Sequence, residues 1–253
     1  MQDRNMRYLR NMLLMMLLMA SQAPWAQAQE AACPSCPPAV SSPRPERAQL
    51  AGYLSRIQKE INDFLPPPAA GSSEDKADLD AVRRWQKDRT PAQCAAAKAQ
   101  TDDSFTALFG SVNPFPKPLP AAVSAFFKRV SADASDANRY IKNIYKRPRP
   151  FLRDQNLDPC IGRSQGYSYP SGHSTAARLF GNILADIDPA RRTAYMIAAD
   201  QAAMNRVIGG VHHPSDIEAG KKLGDLLYGE LRANNAFNAD MAALSQYIKR
   251  QAP

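Results

Sequence analysis

Again and again along this chain, a capping residue or a proline opens a run of apolar residues at helical spacing. No segment alternates with period two between hairpin turns. Ser72-Ser-Glu-Asp-Lys76 puts a hydroxyl and two acids where a helix exposes its free N–H groups, ahead of Leu79, Val82 and Trp85, and predicts a helix running toward Asp88. Thr90-Pro91 repeats the signal and leads from Cys94 through Leu108. Pro114, Pro116, Pro118 and Pro120 break the pattern, and two helices come after them near 120–131 and 134–146, stopped by Arg147-Pro-Arg-Pro150. Residues 151–169 read as a loop. Gly172 to Ile187 has a core face of Ala176, Leu179, Phe180, Ile183 and Leu184. Asp188-Pro189 caps the next helix, which ends at Gly209-Gly210, and Pro214 opens one that reaches Leu231. Further helices are expected over 48–64, with Leu50, Tyr53, Leu54, Ile57 and Ile61 on one face, and near 238–250. The expected fold is all-α, a compact single-domain helical bundle. With 253 residues, 44% of them apolar, the chain can fill one substantial core.

That domain is expected over residues 48–253. Ahead of it, Arg4, Arg7 and Arg10 precede the apolar run Met12–Ala20, and Ala26-Gln-Ala28 stands at cleavage distance, the layout of a secretory signal peptide over 1–28. The apolar run is too short to span a bilayer comfortably. Residues 29–47, rich in Pro, Ala and Ser, read as a flexible leader. The expectation is an exported, periplasmic protein with no membrane span in its mature form. Losing the three Arg and one Asp of residues 1–28 takes the net charge from +8 to +6. Such a balance suits anionic substrates, though by itself it equally suits nucleic acid or a membrane surface.

Export permits disulfides among Cys33, Cys36, Cys94 and Cys160. Cys33-Pro-Ser-Cys36 has redox spacing but no βαβ context, and four cysteines with one close pair make a poor metal site. Cys94 with Cys160 is the preferred pairing, although spacing alone does not choose it.

All three histidines fall in two short segments, Tyr169-Pro-Ser-Gly-His-Ser-Thr175 and Asn205-Arg-Val-Ile-Gly-Gly-Val-His-His-Pro-Ser-Asp216. A phosphoryl group needs fixed cations and aimed N–H donors. Lys142, Arg149 and Arg206 supply cations from three elements, and Arg pairs two oxygens at once. Ser171 and Gly172 open a helix N-terminus that can seat an anion. His212 is the candidate nucleophile: Asp216, one helical turn on, can accept its Nδ1–H and leave Nε2 free to attack. His173 is the candidate general acid, protonating the leaving oxygen and then activating water. Gly209-Gly210 would end one helix and bring Arg206 and His212 to one point. Singly these residues mean little. A histidine at a helix end is more often structural, Ser171 fits a simple cap, and Lys142 and Arg149 fit a solvated face, as expected for Lys146, Arg147 and Arg153.

Together they are specific. Lys142 with six residues to Arg149-Pro150, Pro170-Ser-Gly-His173, and Arg206 with five residues to His212 and three more to Asp216 resemble the tripartite signature of the type-2 phosphatidic acid phosphatase superfamily. That superfamily includes bacterial non-specific acid phosphatases and vanadium haloperoxidases. Leu65-Pro-Pro-Pro68, Asp75-Lys76-Ala77, Arg84-Trp85 and Arg147-Pro-Arg-Pro-Phe151 resemble its class A acid phosphatases, so the likeness covers most of residues 50–235.

The resemblance implies a phosphohistidine on His212, with His173 as acid/base and Asp216 orienting. Lys142, Arg149, Ser171, Gly172 and Arg206 would hold the phosphoryl oxygens, with no metal and no cofactor. Expected substrates are small phosphate monoesters (nucleotides, sugar or aryl phosphates), not duplex nucleic acid. Asn205 departs from the family's usual Ser before the Arg, and His213 falls outside the motif and is expected in the pocket wall. Alternatives are a vanadate-dependent haloperoxidase at the same site and a non-catalytic exported phosphate-binding protein. The latter has no use for a His212–Asp216 pair, and a lipid phosphatase fits poorly with a mature chain lacking spans. A homo-oligomer, like the physiological substrate, stays open.

Overall fold

The computed structural model describes residues 52–54 and 63–251, all within a unit spanning Arg47–Pro253. The expected signal peptide, leader, Cys33 and Cys36 lie outside the described residues. Helices and a single 3-10 turn make up the regular structure, with no strand among the described residues. The all-α expectation holds.

Capping chemistry sets the helix starts. Helix α1 (Ser73–Asp88) begins where Ser72 Oγ accepts from the Asp75 N–H. At α2 (Pro91–Ala99), Thr90 and Gln93 cap one another reciprocally. The expected helix through Leu108 breaks at Gln100–Ser104. Asp102 Oδ1 accepts the Ser104 N–H, and Ser104 Oγ then caps a new helix, α3 (Phe105–Phe109).

Where two helices were expected, one runs continuously as α4 (Ala121–Tyr145). Asp133 stays mid-helix because its carboxylate accepts the Tyr53 and Leu54 N–H groups at 2.8 and 3.2 Å, not its own backbone. The same bonds correct the expected helix over 48–64. Gly52–Leu54 is non-helical, its amides spent on Asp133, and the rest of that stretch is largely outside the described residues. Lys146, left-handed at φ 47°, ends α4 and turns the chain inward.

The expected loop after Pro150 begins with a short helix, α5 (Pro150–Arg153). Helix α6 (Gly172–Ile187) has the expected bounds, with Ser171 as its N-cap. Asp188 does not cap the next helix. Its carboxylate instead accepts from Arg191 and the Tyr195 hydroxyl, across a 3-10 turn (Pro189–Arg191) leading into α7 (Arg192–Ile208). Then come α8 (Pro214–Arg232) and α9 (Asn235–Gln251).

Helix α6 is the central element, packed along its length by α7 and α8. Leu179, Phe180, Ile183 and Leu184 are fully buried against Phe105, Phe109 and Phe127. Helix α8 approaches α6 so closely that a Cβ on Gly220 would lie 2.5 Å from the Ser171 carbonyl oxygen, and one on Gly224 2.9 Å from that of Thr175. The contact holds the first turn of α8 beside the Ser171 turn, where the Ser171 N–H donates to the Asp216 carbonyl at 2.9 Å.

Cys94 and Cys160 form a disulfide across a separation of 66 residues, tying α2 to the loop before α6. Closing a loop of that length in the unfolded chain stabilises by roughly 4 kcal/mol. Cys94→Ser should therefore lower the denaturant midpoint markedly. A midpoint equal to the wild type under non-reducing conditions would contradict that contribution.

Candidate active site

Two glycines end α7 and aim the loop behind it. Gly210 adopts φ +83°, and the Val211 and His212 N–H groups both donate to the Arg206 carbonyl, at 3.1 and 3.2 Å. The backbone of His212 is thereby folded back onto that of Arg206. Both residues are 2% exposed.

Each end of the His212 ring is engaged. Arg149 Nη1 lies 3.1 Å from Nε2, and Asp216 Oδ2 lies 3.4 Å from Nδ1. A guanidinium can only donate, so Nε2 carries a lone pair and Nδ1 the proton. That is the tautomer expected of a nucleophile. Burial pushes His212 well below its ordinary range, with Arg149 and Lys142 adding to the effect and Asp216 opposing it. Burial would raise the Asp216 carboxyl, but the bonds from His212 and His213 more than reverse this and hold it well below the usual carboxylate range.

The cations crowd together. Burial, then the nearby Arg149, lowers Lys142 to about 7 and Arg206 to about 10. Lys142 Nζ donates to the Tyr167 carbonyl at 2.6 Å. Arg149 donates to the carbonyls of Gly166 at 3.1 Å and Val211 at 3.0 Å. Arg206 Nη1 has a 3.4 Å contact to the Gln100 carbonyl, and its buried Nε has no hydrogen-bond partner.

His173 Nε2 lies 3.0 Å from the Thr101 carbonyl, so Nε2–H is the donor. Burial, then Arg206, drops His173 to about 3. Ser171 does cap α6, its Oγ 3.4 Å from the Ser174 N–H, and Gly172 sits in the first turn. Beside the cluster a cavity of about 380 Å3 is lined by Lys142, Gly166, Tyr167, Gly172, Asp103 and Asn138. His212, Arg149 and Arg206 are buried and do not line it.

Three expectations are corrected. Arg147 is not on a solvated face: it is 6% exposed and bridges Asp75 at 2.9 Å, Asp78 at 2.8 Å and Asp216 Oδ1 at 2.7 Å. Arg153 turns inward to Asp75 at 2.6 Å and to His213 Nε2 at 2.9 Å. His213 is no pocket-wall residue, being fully buried with Nδ1 2.9 Å from Asp216 Oδ2. For Arg147 and Arg153 a carboxylate distant in sequence draws the cation in, which no local pattern signals.

Sequence reasoning also missed Ser168, whose hydroxyl donates to Asp216 Oδ2 at 2.5 Å, and the Gln100–Asp103 segment. Asn205 explains how that segment is held: its Nδ2 donates to Gln100 Oε1 at 2.7 Å while its Oδ1 accepts from Gln201. The residue in the usual Ser position thus fixes the stretch of chain that meets both Arg206 and His173.

Residues 121–229, from α4 to α8, match the model of the PAP2 superfamily. The chain is 27% identical over 138 residues to a non-specific acid phosphatase of Salmonella typhimurium, covering 53% of this chain and 55% of the relative. It is 41% identical over 66 residues to a lipid A 1-phosphatase of Rhizobium johnstonii, covering 26% of this chain and 27% of that one. The chain thus spans about half the length of the first relative and about a quarter of the second. A bacterial vanadium-dependent chloroperoxidase in its apo form superposes with a TM-score of 0.53 at 11% identity, over 78% of this chain and 55% of the other, a likeness of fold. Among the described residues no helix is long and apolar enough to cross a membrane, and no group of three or more His, Cys, Asp or Glu is placed to hold a metal ion.

Proposed function

We propose that this protein is an exported, metal-independent acid phosphatase that hydrolyses small phosphate monoesters through a phosphohistidine on His212. One observation carries the proposal: Arg149 contacts a buried imidazole whose Nε2 bears a lone pair, Lys142 and Arg206 are lowered by burial and then by that same Arg149, and the buried Nε of Arg206 has no partner. Such a cluster is complementary to an oxyanion with several oxygens. The similarity to an acid phosphatase agrees with it.

Phosphate binding draws Arg149 from His212 Nε2 onto a phosphoryl oxygen. The freed lone pair attacks phosphorus in line, forming the N–P bond as the P–O bond to the alcohol breaks. The departing oxygen takes a proton from His173. Water then attacks phosphorus and passes a proton to His173, and the N–P electron pair returns to Nε2 as phosphate leaves. At rest His173 is neutral, because its pKa is about 3. A bound phosphoryl anion offsets the charge of Arg206 and raises it. The monoanion of a phosphate monoester, whose second pKa is about 6, brings the proton with it. An acidic to near-neutral optimum is the consequence.

Lys142 adds a second alkaline limit to the one set by the substrate's own ionisation at about 6. Its ammonium is charged below about pH 7 and neutral above, so kcat/KM should fall more steeply once pH passes 7. Lys142→Arg keeps its charge and should leave a shallower limb set by the substrate alone. A limb of unchanged steepness would remove Lys142 from oxyanion binding. The activity itself is tested with phenyl phosphate: turnover without added metal, retained in EDTA, is expected. Loss in EDTA with recovery on adding a divalent cation would overturn metal independence. Absence of turnover, with bromide oxidation in vanadate and peroxide, would move the protein to haloperoxidase chemistry.

A further inference from the structure

His212 and His213 are built alike. Arg149 lies on Nε2 of His212 at 3.1 Å, and Arg153 lies on Nε2 of His213 at 2.9 Å. Because guanidinium N–H groups only donate, both Nε2 atoms accept and both Nδ1 atoms carry the proton. Both Nδ1–H groups point at the same oxygen, Asp216 Oδ2, giving a continuous Arg149–His212–Asp216–His213–Arg153 chain.

Asp216 Oδ2 is oversubscribed. It receives the Ser168 hydroxyl at 2.5 Å, the His213 N–H at 2.8 Å and His213 Nδ1 at 2.9 Å, which leaves His212 Nδ1 the longest contact at 3.4 Å. The other oxygen is taken by Arg147 at 2.7 Å. His213 cannot yield its place, because Arg153 is itself anchored by Asp75 at 2.6 Å, and Asp75 is bonded to Arg147 and to the Gly71 N–H.

We propose that His213 is a positioning residue for His212: by occupying the shared Asp216 carboxylate it lengthens the bond to His212 and lowers the pH at which His212 becomes a free base. The proposal rests on His212 as nucleophile. A close Asp216 bond stabilises the imidazolium, which cannot attack; a long one keeps Nε2 unprotonated in acid, where the substrate monoanion carries the proton His173 needs. The other charged groups facing His212 are Lys142 from α4, Arg149 ahead of α5 and Asp216 from α8. Asp216 further faces Arg147, whose bonds to Asp75, Asp78 and Asp216 Oδ1 do not involve His213.

The test is the acidic limb of kcat/KM against pH for phenyl phosphate in wild type, His213→Leu and His213→Asn. The leucine variant frees Oδ2 for His212, and its limb should rise by about one pH unit. Asparagine places an amide N–H where Nδ1 was and should return the limb to the wild-type position. Equal limbs in all three proteins, or a folded asparagine variant that behaves like leucine, would overturn the proposal. If the leucine variant does not fold, 15N shifts of the three wild-type histidines at neutral pH decide the matter. Protonated Nδ1 and acceptor Nε2 on His213, with the stronger Nδ1–H bond on His213 rather than His212, are expected. The reverse order, or an Nε2–H form of His213, would overturn it. A wild type that turns over no phosphate ester defeats the proposed activity instead, leaving the tautomer measurement to judge the relay alone.

Discussion

His212→Ala should lower kcat for phenyl phosphate by on the order of 10^4-fold or more, while helical circular dichroism stays at the wild-type level. The size comes from the role. Without the imidazole there is no N–P bond to form, and the remaining cations can only bind and polarise the ester. Folding should tolerate the loss better than chemistry does. Asp216 keeps His213, Ser168 and Arg147 as partners, and the Arg149 guanidinium keeps the Gly166 and Val211 carbonyls. A variant with near-normal turnover would remove His212 as nucleophile. A variant with normal phosphate affinity but no turnover would place its contribution in the chemical step.

The second large effect is one of stability. Arg147→Leu should cost about 3–5 kcal/mol or prevent folding, because it strands three buried carboxylates without their shared cation. Asp75, Asp78 and Asp216 are 3%, 7% and 0% exposed, so water cannot replace the guanidinium. Arg147 stays charged because the pull of burial toward neutrality is outweighed by Asp216, Asp78 and Asp75. One side chain therefore ties the first turns of α1 to the first turn of α8, and with them the Asp216 carboxylate to the scaffold. Urea midpoints of wild type and variant give the measurement. A midpoint within experimental error of the wild type would mean that the carboxylates find other partners. Arg147→Lys is the informative intermediate, since a single ammonium cannot reach three acids with the geometry of a guanidinium fork.

Local chemistry decides what was legible in the sequence. Helix α6 begins at Gly172 and ends at Ile187 as expected, because Ser171 caps it, its apolar face is long and Asp188-Pro189 stops it. The Gly209-Gly210 turn was legible too, since few other sequences let the Val211 and His212 amides fold back onto one carbonyl. Several misses involve a partner far along the chain. Asp133 sits in mid-helix because Tyr53 and Leu54 use its carboxylate, and its own segment gives no sign of that. Arg147 and Arg153 look like surface cations until Asp75 and Asp78 arrive from α1. Two adjacent histidines look like one functional residue and one neighbour until a single carboxylate proves to be shared between them. Gln100 carries no motif at all, yet Asn205 holds it where its carbonyl meets Arg206.

The arrangement of lone pairs also changes the reason for acidity. Spacing alone suggests a protonated His173 beside an unprotonated His212. In the folded site both imidazoles are depressed by burial, so the proton has to arrive with the substrate. Under the proposed mechanism, acid activity would depend on the monoanion and on keeping Asp216 from holding His212 too tightly.

The whole mechanism stands on the covalent intermediate, and rapid acid-free quenching of enzyme mixed with 32P-labelled phenyl phosphate is its sharpest test. An acid-labile, base-stable phosphoenzyme is expected, with its label in the peptide containing His212 and no label in His212→Ala. Turnover by the wild type with no trapped label, or label that persists in His212→Ala, would contradict a phosphohistidine at this position.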